Sequence, residues 1–559
     1  MDFSFSQRRA GILVPSFAIA HEKDLGIGDT EGVHQMIDWC TKNKISVLQL
    51  LPINETGEDN SPYNTISSRA LCPTTLFFSP TKVPGLSRAI YSQIVTSDIL
   101  NSIRSGPVNY PKVKALKRHL LWEAFQKFRK KSLLDEFTEE NKSWLENYCL
   151  FRLAMELNGN SIVWEKWPAP FSTPECMKEK IATSAEKKEW EKKMQFYAYV
   201  QWVADLQWKE VKAHAEEQKV YLMGDMPFGV SRYSADVWGS REIFNLDWSG
   251  GAPAEVSFQP DSFTARWGQN WGIPIYRWDI LKEQGYRWWH DRVKGIGQHF
   301  HLCRLDHVLG FYRIYAFPWL PEKNDEFLHL SEHEVWEKIG NLPHFIPGPD
   351  SDPHWHYWNR VNGETILKEL QHAAGNMGLV AEDLGTVPDY VPQSLESLGI
   401  PGMKLPYFHR KPDNTYLDGS DYPFLSVATL GTHDNYPIAA QWDVWTEHRQ
   451  QGLDAARWEQ TCLLKWVGLP ETPIPDELTP DLHAAICRTL FRSNSWLACL
   501  QISDWFATKQ RFNVPGLALA GNWSERLPLT VKRLSTNAHY AALTERLRVH
   551  LTASNRGGE

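Results

Sequence analysis

A chain of 559 residues exceeds one minimal domain and has room for a large barrel with insertions. Its 42% hydrophobic and 23% charged residues are the mix of a soluble globular protein. A net charge of -8 argues against nucleic acid as a partner, because polyanion binders present a basic surface.

From the N-terminus, Met1–Ala10 contains no apolar leader, and no run approaches the length needed to span a bilayer. The chain therefore reads as cytoplasmic, without a membrane partner. Short apolar runs that end in polar or acidic residues then alternate with amphipathic stretches. They are Gly11–Phe17, Ile45–Ile53, Lys219–Pro227, Phe300–Val308, Gly378–Gly385, Gly402–Phe408, Val427–Asp434 and Leu497–Asp504. Between the first two, Val33, Met36, Ile37 and Cys40 fall on one helical face. Eight strands alternating with helices predict an α/β fold, a (β/α)8 TIM barrel, with the active site at the C-terminal strand ends.

The spacing divides the chain into 1–53 for the barrel's start, 54–218 for a mostly helical insertion, and 219–559 for the remainder. Val113–Lys131 and Lys142–Asn158 read as helices within the insertion, and Glu175–Glu191 as a charged, solvated stretch. A Gly- and Trp-rich excursion at 229–276 reads as a long functional loop over the cleft. No internal repeat is visible. The C-terminal Arg546, Arg548 and His550 read as a solvated helix face.

Eight cysteines lie scattered without CxxC spacing, the pattern of buried free thiols rather than of a disulfide framework. The 26 Trp, 25 Phe and 19 Tyr fit either carbohydrate stacking or a large aromatic core. Trp164 to Trp167 leaves the same choice open. His354-Trp355-His356 has the look of a metal pair but reads as lying in a Pro- and Asp-rich loop, so no metal is assigned. Gly26-Ile27-Gly28 lacks the Lys-Ser/Thr of a phosphate loop and reads as a tight turn.

Three of the predicted strand ends carry candidate catalytic carboxylates: Arg304-Leu305-Asp306-His307, Ala381-Glu382-Asp383-Leu384-Gly385 and Gly431-Thr432-His433-Asp434-Asn435. Retaining cleavage of a glycosidic bond needs one carboxylate as nucleophile and a second carboxyl as acid, then base. Two residues before Asp306, Arg304 shares its strand face, and its fixed charge favours an ionised nucleophile. Glu382 needs the opposite, a raised pKa. Asp383 faces away from Glu382 and reads as a loop tie.

These residues, with Gly26-Ile27-Gly28-Asp29, Ser61-Pro62-Tyr63, Gln201-Trp202, Gln207-Trp208 and Gly224-Asp225-Met226-Pro227, resemble the amylomaltases of glycoside hydrolase family 77. The resemblance extends through Gly268-Gln269-Asn270-Trp271-Gly272, Gly402-Met403-Lys404, Asn513-Val514-Pro515-Gly516 and Gly521-Asn522-Trp523. It implies a 4-α-glucanotransferase working by double displacement, without cofactor or metal. Asp306 would be the nucleophile, Glu382 the acid/base, and Asp434 the carboxylate that stabilises the transition state. Arg304 and His433 would contact the donor sugar, Asp225 would bind sugar or hold the site, and Tyr63 would flank the acceptor path. Asp261, Phe263 and Trp271 would lie in the loop over the cleft. α-1,4-Glucans would be donor and acceptor, glucose an acceptor, and the protein a monomer or weak homo-oligomer.

The chain departs from the family pattern at Val14, Asn64 and Tyr436-Pro437, none of them a carboxylate. Two other readings are a plain α-glucan hydrolase and a non-catalytic glucan-binding protein. The same intermediate serves transfer and hydrolysis, so the carboxylates do not separate them. Transfer needs an acceptor hydroxyl to outcompete water, hence a shielded cleft.

Overall fold

The computed structural model describes residues 3–254, 262–470, 473–515 and 521–557. Twelve strands appear in chain order among them: β1 (Arg9–Leu13), β2 (Val47–Gln49), β3 (Tyr221–Met226), β4 (Phe244–Ala252), β5 (Gln269–Tyr276), β6 (Leu302–Leu305), β7 (Ile314–Phe317), β8 (His344–Ile346), β9 (Gly378–Ala381), β10 (Gly402–Lys404), β11 (Ser426–Thr429) and β12 (Leu497–Gln501).

Eight of them form one parallel sheet in the order β10-β11-β12-β1-β2-β3-β6-β9. The two ends of that order meet where Ala381 N–H donates to Pro401 O at 2.8 Å. The result is the (β/α)8 barrel expected from the alternation; six of its strands lie within a predicted run, while β1 and β11 overlap theirs but start before Gly11 and Val427. Helices cover one face of such a sheet and side chains fill the other, so its strands bury both faces. All five residues of β12 are accordingly buried. The runs are longer than the strands because their polar ends leave the sheet to become the loops of the rim.

Local chemistry explains the first turn of the barrel. Asp29 caps the helix Thr30–Lys42, its Oδ1 accepting from Glu31 N–H and Gly32 N–H. At Gly28 a Cβ would stand 1.9 Å from Ser16 O, so only glycine fits this tight turn.

Between β2 and β3 run six α-helices from Arg88–Ile94 to Pro174–Thr183, followed by the 31-residue helix Lys187–Glu217. That long helix leads into β3 and packs on the helix Thr30–Lys42. Two glutamines fasten it to the chain beneath. Gln201 Oε1 accepts from Leu71 N–H at 2.7 Å while its Nε2 donates to Leu71 O at 3.0 Å. Gln207 makes the same pair with Phe77, at 2.9 and 3.0 Å. The stretch expected to be solvated at 175–191 buries Met177, Ile181 and Trp190, because the helices it forms pack on the helix Lys142–Leu157 and on each other.

The excursion at 229–276 is not a structureless loop. It supplies β4 and β5, which join β7 and β8 in an antiparallel sheet ordered β5-β4-β7-β8. Within the insertion, Trp164 and Trp167 are buried, Trp167 against Phe151 with ring centroids 5.2 Å apart. Trp208, Trp238, Trp289, Trp442, Trp496 and Trp505 are also fully buried, so much of the tryptophan surplus packs the interior. His354 and His356 lie in the first turn of the helix Pro353–Ala374, not in a loop, because Asp352 caps that helix and Pro353 starts it. Among the described residues no helix is long and apolar enough to cross a membrane.

Candidate active site

The C-terminal ends of β3, β6, β9 and β11 bring one charged cluster together. Its centre is Arg304 on β6, a buried guanidinium. Arg304 Nη1 donates to Asp225 Oδ1 at 2.9 Å and Oδ2 at 2.8 Å, and to Asp306 Oδ1 at 2.8 Å. Its Nη2 stands 4.0 Å from Glu382 Oε2. One cation thus faces three carboxyl groups from three neighbouring strands, as the parallel register of β3, β6 and β9 dictates.

Glu382 follows β9 directly. Its Oε2 accepts from His307 N–H at 2.7 Å and its Oε1 from Leu384 N–H at 3.2 Å. Burial pushes its pKa up to about 8, helped by the charge of Asp306 and opposed by Arg304. Asp225 is also raised, chiefly by burial, with Arg304 pulling the other way. His307 sits at a φ of 45°, a conformation rare outside glycine, and this bend turns its N–H toward Glu382. Burial drives the His307 ring down to a pKa of about 4. Asp383 faces away from Glu382 and accepts from Met403 N–H at 2.6 Å, tying β9 to β10 where the barrel closes.

The opposite wall is built by the loop after β11. His433 is buried, and its ring stacks on Tyr63 at 4.9 Å with planes 10° apart. Tyr63 donates its hydroxyl to Asp225 Oδ2 at 2.8 Å, joining the two walls. Desolvation raises the Tyr63 pKa well above that of a free phenol, which keeps this donor protonated. Asp434 is more open: its side chain is 43% exposed and its Oδ1 lies 3.4 Å from His433 Nε2.

Two aromatic residues of the excursion part ways. Trp271, 38% exposed, meets the His307 ring edge-on at 4.8 Å. Phe263 instead packs against Phe317 at 5.9 Å and Trp319 at 6.4 Å, in a small apolar cluster of its own. Asp261 lies outside the described residues. Phe263 therefore stands apart from the cluster, while Tyr63, Asp225, Arg304, Asp306, Glu382, His433, Asp434 and Trp271 are linked by direct or single-residue contacts.

Three contributors escaped a role in the sequence reading. Asn513 Nδ2 donates to Asp434 Oδ1 at 2.6 Å, Arg511 Nη2 donates to Asp434 O at 2.6 Å, and the Trp523 ring lies 5.8 Å from His433. Asn513 and Trp523 belong to motifs already distinctive in the sequence, which was the available signal. No group of His, Cys, Asp or Glu suited to a metal occurs among the described residues.

A buried arginine holding carboxylates beside a protonated glutamic acid suits cleavage of an acetal bond, with one group attacking and another donating a proton. The 4-alpha-glucanotransferase family model matches residues 14–530. The 4-alpha-glucanotransferase of Chlamydia muridarum is 31% identical over 550 residues, covering 95% of this chain and 94% of that protein. That of Thermus thermophilus is 29% identical over 86% of this chain and 87% of its own length. In fold, the chain is similar to an amylomaltase from Streptococcus agalactiae solved with acarbose, with a TM-score of 0.74 and 23% identity over 99% of this chain and 100% of that one.

Proposed function

The chain belongs to the 4-alpha-glucanotransferases of glycoside hydrolase family 77, and from that premise we propose that it moves α-1,4-glucan segments by double displacement through a glycosyl ester on Asp306. In the first step an Asp306 oxygen bonds to the anomeric carbon as the glycosidic C–O bond breaks. Glu382 gives its proton to the departing oxygen. In the second step the 4-hydroxyl oxygen of glucose or another glucan attacks the same carbon. The ester C–O bond breaks, the proton returns to Glu382, and both carboxyl groups regain their starting states.

The observation that carries this reading is the divergent treatment of two neighbouring carboxyl groups. Asp306 accepts a charge-assisted hydrogen bond from Arg304, while Glu382 is buried and holds its proton to about pH 8. That split supports Asp306 as nucleophile and Glu382 as acid. Asp434, across the cleft, would grip hydroxyls of the distorted donor sugar, with His433 and Arg304 as further donor-side contacts. Tyr63 would line the acceptor path, Asp225 would hold Arg304 and Tyr63 in place, and the exposed edge of Trp271 would shield the ester from water. No cofactor or metal enters these steps. Neutral α-1,4-glucans would be donor and acceptor, and the protein would be a monomer or weak homo-oligomer.

The test is incubation of purified protein with maltotriose alone and separation of products by chain length. Glucose together with a ladder of longer maltooligosaccharides is expected. Glucose and maltose with nothing longer would overturn transfer in favour of hydrolysis.

A further inference from the structure

The loop 431–437, which carries His433 and Asp434, ends at the helix Ile438–Gln450, whose N-cap is Pro437. Proline offers no side-chain acceptor, so the first N–H groups of that helix need a partner from elsewhere. The partner comes from beyond β12: Asp504 Oδ1 accepts from Ile438 N–H at 2.7 Å. Asp504 is only 1% exposed. Among the described residues its Oδ2 has no hydrogen-bond partner.

A buried carboxylate in this condition is costly to keep. Burial pushes its pKa up to about 7, and only the backbone N–H groups of Ile438 and Gln501 oppose the shift. The titratable groups facing it are Tyr407, Cys487 and Cys499, none of them a cation. His483 contacts its main-chain oxygen at 2.7 Å and not its carboxylate. Charge pairing therefore does not explain the residue; the hydrogen bond to Ile438 does.

The segment that follows Asp504 grips the same loop twice more, through Arg511 to Asp434 O and Asn513 to Asp434 Oδ1, each at 2.6 Å. Inside the loop, Asn435 Oδ1 accepts from Thr432 N–H at 2.8 Å and from Thr432 Oγ1 at 3.1 Å, closing its neck. The loop is thus compact in itself, held by Arg511 and Asn513 at Asp434, and fixed at its exit by Asp504.

We propose that Asp504 is a positioning residue for Asp434, setting that carboxylate against the donor sugar by anchoring the Ile438 N–H. The inference rests on the reading of Asp434 as the transition-state carboxylate. A displaced Asp434 would weaken contacts made most strongly in the transition state, so kcat falls and KM changes little.

The experiment compares Asp504→Ala, Asp504→Asn, Asp434→Asn and the double variant Asp504→Ala/Asp434→Asn on maltotriose, with thermal melts of each. Asp504→Ala should lower kcat about tenfold with KM within about twofold, on the scale of a lost helix cap. Asp504→Asn keeps an acceptor of the same shape and should recover kcat to within about twofold of wild type. In the Asp434→Asn background, over long incubations, Asp504→Ala should cost nothing further. A folded Asp504→Ala protein with wild-type kcat overturns the proposal. So does an unchanged tenfold loss on the Asp434→Asn background, which marks a general structural role. A wild-type rate for Asp434→Asn would instead overturn the Asp434 reading, and this proposal with it.

Discussion

The two walls of the cleft solve the problem of holding a carboxyl group in opposite ways. On the β3–β6–β9 side, Asp225, Asp306 and Glu382 crowd one buried guanidinium, and the Glu382 side chain is only 13% exposed. On the β11 side, Asp434 is 43% exposed and is held by hydrogen bonds from Asn513 and Arg511. Burial changes protonation, because removing water penalises charge. Tethering fixes position without that penalty. In the proposed mechanism the wall that would handle the proton is therefore the desolvated one, and the wall that would grip sugar hydroxyls is the open one.

The largest expected break in this comparison is Asp306→Asn, which should lower turnover by on the order of 10^4-fold or more while leaving the fold intact. Near-wild-type transfer of maltotriose by the purified variant would rule out the nucleophile assignment. Next comes Glu382→Gln, expected to cost about 10^2- to 10^4-fold as general acid catalysis is lost. In the wild type, the rate should fall as pH rises through about 8, where Glu382 gives up its proton. A pH–rate profile with no alkaline limb near that value would refute the acid assignment.

The same variant sharpens the contrast in stability. Folded Glu382 keeps its proton to about pH 8, whereas unfolded it loses it near its ordinary value of 4.5. The folded state therefore binds more protons in that window, and wild-type stability contributed by this group falls as pH rises across it. Glu382→Gln should melt higher than wild type at pH 9 and no higher at pH 4, by calorimetry. The smallest effect is expected from Tyr63→Phe, which removes the hydroxyl joining the two walls and leaves Asp225 with Arg304. About 1 kcal/mol of stability and a few-fold of kcat/KM should be lost. A loss as large as that of Glu382→Gln would show that the walls are not independent.

The barrel was legible because its signals are local. A parallel strand buried on both faces needs a continuous apolar run, and Val33, Met36, Ile37 and Cys40 mark their helix by spacing alone. The excursion at 229–276 reads as a loop in the sequence because its Gly- and Trp-rich strands β4 and β5 lack clean alternation. Its sheet is completed by β7 and β8, contributed from farther along the chain. The extended pleat likewise put Arg304 beside Asp306 and turned Asp383 away from Glu382, and the structure has both arrangements.

The sequence by itself determined the strand order of chemistry, with Arg304 and Asp306, Glu382, and Asp434 at the ends of three of the eight apolar runs, and the caps and turns between them. Only the tertiary structure decided which of these groups meet and how each is charged. Arg304 bridges three carboxyl groups because β3, β6 and β9 are neighbours, and Asp434 is steadied by Asn513 and Arg511, more than 70 residues away. Periodicity and capping act through a few bonds and can be read along the chain. Desolvation and long-range hydrogen bonds depend on what the folded chain places around a group, and that exists only once the barrel has closed.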